Sequence, residues 1–85
     1  MSGHEGASSD WEATRELYRR KSVEALRVAT NNLEVAMRSL ELLEEYSVDC
    51  PDDVELVKWA WSKASSAEVS VALAAGFIER KLARS

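Results

Sequence analysis

The chain has one cysteine, one histidine, one proline and three glycines among its 85 residues. With Cys50 alone, no disulfide can close within the chain. With His4 alone, in the opening stretch MSGHEGASS, there is no cysteine–histidine zinc set and no Ser/His/Asp or Cys/His catalytic set. A glycine-rich phosphate loop is missing too. No apolar run reaches the roughly 18 residues of a membrane span. The least charged stretch, ASSAEVSVALAAGFI from Ala64 to Ile78, is shorter than that, rich in serine, and carries Glu68. The opening stretch lacks the apolar core of a signal peptide. A formal charge of −4 and a pI near 5.0 disfavour nucleic acid as a ligand. The expectation is a soluble protein with no membrane or nucleic-acid partner, no metal and no cofactor, cytoplasmic if natural, and not an enzyme.

A chain this short buries only about 60% of its unfolded surface. Chains of this size are usually reinforced by disulfides, a metal or another chain. The first two are excluded, which leaves another chain.

What is present is helical. Residues 1–8 read as a disordered leader. At SDWE, Ser9 is placed to cap a helix while Glu12 reaches back from the third helical position. No glycine or proline interrupts from there to Tyr46, so the first helix is expected over 9–46. Glu16 with Arg20 and Glu34 with Arg38 are spaced to pair along it. Residues 47–50 form the turn. Pro51 suits the first position of a second helix, where its missing N–H costs nothing, and Asp52, Asp53 and Glu55 suit the positive end of that helix's dipole. The second helix is expected over 51–84, with Arg80, Lys81 and Arg84 at its negative end. Two long helices joined by a short turn fold back as an antiparallel hairpin. The fold class is therefore all-α. Cys50 occupies the cap position where Ser or Asp is usual. It reads either as a small residue tolerated in a turn or as an introduced thiol.

The hairpin has more apolar surface than it can cover. At 100° per residue, the first helix carries one apolar wall of Leu17, Val28, Val35 and Leu42. A second wall holds Trp11, Tyr18, Ala25, Leu26, Ala29, Leu33, Ala36, Met37, Leu40 and Leu43. Together they span roughly 220°, against a stripe of little over 100° for a helix packed on one neighbour. On the second helix, one seam is Leu56, Val57, Ala60, Ala64, Ala67, Val71, Ala74, Ala75, Ile78 and Leu82. Nearly opposite runs another, Trp59, Ser62, Ser66, Val69, Ser70, Leu73 and Phe77, with the three- and four-residue spacing of a coiled-coil stripe. One partner helix cannot bury both. The expected interface with a further chain is Val28, Val35, Leu42, Trp59, Ser62, Ser66, Val69, Ser70, Leu73 and Phe77.

Uncharged polar residues lie among these seams. Asn32, Ser39, Ser62, Ser66 and Ser70 read as a hydrogen-bond network setting register and oligomer number, as a wet border, or as the lining of a small-molecule pocket at an oligomer axis.

Capped, uninterrupted helices of matched length, the turn CPDDVELVK, and NNLEVAMRSLELLEE with polar residues set into apolar seams resemble de novo designed helical-hairpin homo-oligomers. The likeness covers about Asp10 to Ala83 and is one of style. It implies a two-helix chain that self-assembles into a multi-helix bundle held by apolar packing and buried polar networks. Trp59, Trp61, Cys50, Gly76 and the serine content of the second helix depart from that style.

Acidic residues, from Glu41 to Glu55, gather at the turn, and Arg15, Arg19, Arg20 and Lys21 lie toward the open end. Antiparallel association would place acidic turns beside basic ends. The expected role is a structural self-assembly module, a homo-oligomeric dimer or trimer. The alternatives are a binding module that captures the helix of a heterologous helical protein along Trp59, Leu73 and Phe77, or the ligand pocket.

Overall fold

A computed structural model describes the backbone from Ser2 to Ala83 and the side chains from Asp10 to Ala83. The chain is an all-α hairpin of two helices, α1 (Ser2–Glu45) and α2 (Pro51–Ala83), of 44 and 33 residues. They pack against each other along most of α2 in a rod of 72 × 19 × 14 Å.

The turn lies where the only proline stands. Pro51 opens α2, and Asp52 and Asp53 occupy its first turn. The Cys50 carbonyl accepts the first amides of the helix, from Asp53 at 3.1 Å and Val54 at 3.2 Å, so Cys50 is the cap residue. Ser47 closes α1. Its amide donates to the Glu44 carbonyl, its carbonyl accepts from the Cys50 amide at 2.9 Å, and its hydroxyl donates to the Leu43 carbonyl at 2.6 Å. These bonds satisfy carbonyls that a helix C-terminus otherwise leaves without partners. Ser47 is only 4% exposed, and the sequence offered no sign of that beyond its place in a turn.

The start of α1 differs from expectation. The helix runs from Ser2, so Ser9 is helical backbone rather than a cap, and residues 2–8 continue the helix rather than forming a leader. No proline precedes Pro51, and adding residues to an existing helix is far easier than nucleating one.

The inner seam of α2 is the small-residue one. Val57 and Ala75, 1% and 0% exposed, are its fully buried members, and Ala60, Ala64, Ala67, Val71, Ala74, Ile78 and Leu82 are half-buried. Leu56, expected in this seam, is instead 59% exposed. Adjacent residues on a helix are 100° apart, so with Val57 fully inside, Leu56 turns to the flank. From α1 the contact stripe is Leu26, Ala29, Leu33, Met37 and Leu40, joined by Val23 and Thr30. It is narrower than the expected wall, since Trp11, Tyr18, Ala25, Ala36 and Leu43 remain exposed.

Candidate interface on the outer helix faces

The face of α2 turned away from α1 is apolar and uncovered. Trp59, Val69, Leu73 and Phe77 on α2, and Val28, Val35 and Leu42 on α1, are each 53–64% exposed. Ser62, Ser66 and Ser70 lie exposed among them. The structure thus places all ten expected interface residues on the surface of the hairpin. Their helical spacing makes them surface stripes rather than scattered side chains. Leu56, expected inside, extends this apolar surface toward the turn.

The polar residues of these stripes turn first to their own helices. Ser70 donates its hydroxyl to the Ser66 carbonyl at 3.1 Å, and Ser39 donates to the Val35 carbonyl at 3.0 Å. On the inner side of α1, half-buried Thr30 donates likewise to the Leu26 carbonyl at 3.0 Å. Back-bonding four residues along is a local alternative to a network, and it leaves each hydroxyl oxygen free to accept. Asn32, Ser62 and Ser66 are exposed.

One edge of the hairpin is charged and cross-linked. Arg27 pairs with Glu79, Trp61 donates its indole N–H to Glu41 at 3.2 Å, and Glu34 faces Glu68. Arg27, Glu34 and Glu41 recur every seven residues on α1, so they share one edge, and their partners run in reverse order along α2. The Glu68 carboxyl is held above the ordinary 4.5, first because packing withdraws it from water, then because the Glu34 carboxylate opposes its charge and shares a hydrogen bond with it. The two glutamates, with Met37, Arg38 and Glu41, line an open hollow of about 250 Å³. The expected pair of Glu16 with Arg20 is present at 3.4 Å. The cross-helix pairs escaped the sequence reading, since each depends on the register of one helix against the other. The seven-residue recurrence of Arg27, Glu34 and Glu41 is the one sequence signal from which a shared edge could have been found.

Among the described residues, no group of three His, Cys, Asp or Glu side chains is placed to hold a metal ion. No helix among them is long and apolar enough to cross a membrane. Comparison of the sequence with family models and with known proteins, and of the fold with solved structures, finds no match.

Proposed function

We propose that the chain is a structural self-assembly module, a helical hairpin whose copies join through the outer α2 stripe into a homo-oligomeric bundle. The observation that carries this reading is the uncovered row of Trp59, Val69, Leu73 and Phe77 on the face opposite the packed seam. Burying a large apolar side chain is worth about 1.5–3 kcal/mol, and a contiguous apolar patch on a soluble chain marks a contact surface.

Size supports the same reading. A compact monomer of 9.5 kDa exposes about 5,000 Å², whereas this hairpin exposes 6717 Å². Its radius of gyration is 20.1 Å, against about 12 Å for a globular chain of this length. A rod of 72 × 19 × 14 Å leaves long flanks that a further chain can cover. An identical copy is the simplest cover, since most soluble oligomers are symmetric and homomeric.

The test is the absolute mass in solution, by light scattering behind a sizing column with reductant present. A defined multiple of 9.5 kDa with high helicity is the expected result. A clean monomer would overturn the reading and turn attention to a heterologous helix as the occupant of the stripe.

A further inference from the structure

We infer that two copies meet antiparallel about a two-fold axis passing close to residue 68 of α2, so that the outer stripe of each chain reads the other in reverse. This rests on the self-assembly reading and adds the orientation and the pairing. A two-fold interface requires a self-complementary surface, with residue i against j and j against i.

The outer stripe of α2 has that order. From the turn it runs Glu55, Trp59, Ser62, Ser66; from the other end, Arg80, Phe77, Leu73, Ser70. Each pair lies at the same distance from residue 68 to within one residue. Reversal therefore sets Trp59 on the partner's Phe77, Ser66 by the partner's Ser70, and Glu55 beside the partner's Arg80. Ser66 and Ser70 meet near the centre beside Val69, which lies one residue from the axis and is 58% exposed, and aromatic rings flank them. Opposite charges close both ends. The Arg80 guanidinium stands 5.1 Å from the Phe77 ring centroid, which keeps the cation on the stripe face.

Parallel packing on the same stripe would set Glu55 against Glu55 and Arg80 against Arg80, and like charges brought together oppose association. The ends of the rod agree with reversal. Tyr46 and Val48 are exposed at the turn, and Trp11 and Tyr18 are exposed at the open end where α1 runs past α2. Antiparallel packing brings these two apolar groups to the same end.

Cys50, the only cysteine, makes the test direct. A nitroxide label on it, read by double electron–electron resonance, should report a separation of about 54 Å, since each label lies 18 residues from the axis at about 1.5 Å per residue. A parallel pair or a three-fold ring would bring the labels within roughly 20 Å, two interhelical spacings, and that distance, or a trimer mass, would overturn the inference while leaving self-assembly standing. A monomer mass would instead overturn the self-assembly reading itself. Because Cys50 is half-buried at a helix cap, Asp49→Cys in a Cys50→Ser background gives a second label position with the same expectation. A charge swap gives an independent readout. Glu55→Arg alone should raise the dissociation constant several-fold, and adding Arg80→Glu should restore it; failure of the second change to restore association would refute the pairing.

Discussion

Replacing Leu73 and Phe77 together by glutamate strikes the outer stripe where its coverage matters most. Each side chain is 55% exposed in the hairpin, so assembly would remove about half of its surface from water. At about 1.5–3 kcal/mol for full burial, the covered half contributes roughly 0.8–1.5 kcal/mol per residue. Two residues in each of two copies sum to about 3–6 kcal/mol, a weakening of roughly 10²- to 10⁴-fold at 1.4 kcal/mol per decade. The cost of pressing a carboxylate against an apolar partner adds to this. The assay is light scattering over a dilution series, with circular dichroism at 222 nm on the same samples. The expected result is a shift to monomer mass, with lower helicity and melting temperature. With Val57 and Ala75 the only fully buried apolar side chains among the described residues, the separated hairpin has little core of its own. Glu34→Lys on the charged edge is the control, and it should leave the mass unchanged while gaining attraction to Glu68. If the Leu73/Phe77 double variant keeps the parent's mass and helicity across the series, this stripe does not hold the copies together.

Three further outcomes test the hairpin itself. Ser47→Ala removes a hydroxyl bond to the Leu43 carbonyl in a buried turn. It should cost about 1 kcal/mol, read as a melting temperature lower by roughly 4–8 °C for a domain of this size. Gly76→Ala should raise stability by about 0.5–1 kcal/mol, since an added Cβ there meets no atom within 4 Å; a denaturant midpoint that falls instead would mean that another chain occupies that space. Glu68→Gln is read against pH. Because the folded protein raises this carboxyl's affinity for a proton, the charge opposes folding at neutral pH, and the relief grows as pH falls through the raised value and is complete below the ordinary 4.5. The variant should therefore melt higher than the parent at pH 7 and no higher near pH 4. An equal gain at both would remove Glu68's charge as the cause.

The two helices, the turn and the double-faced character of α2 were legible in the sequence alone, because each is a local property. A hundred degrees per residue turns the order of Val57, Ala60, Ala64, Val71 and Ala75 into one seam and that of Trp59, Ser66, Leu73 and Phe77 into another. Pro51 with its following aspartates marks where α2 begins. What periodicity leaves open is rotation and register, and these the tertiary structure decided. The small-residue seam turns inward because alanines let α1 approach closely, and that rotation carries Leu56 out to the flank. Register alone brings Arg27 to Glu79, Trp61 to Glu41 and Glu34 to Glu68, contacts between residues 20 to 52 positions apart that no local pattern announces. Ser47 is buried for the same reason, since its surroundings are made by the reversal of the chain and not by its neighbours in sequence.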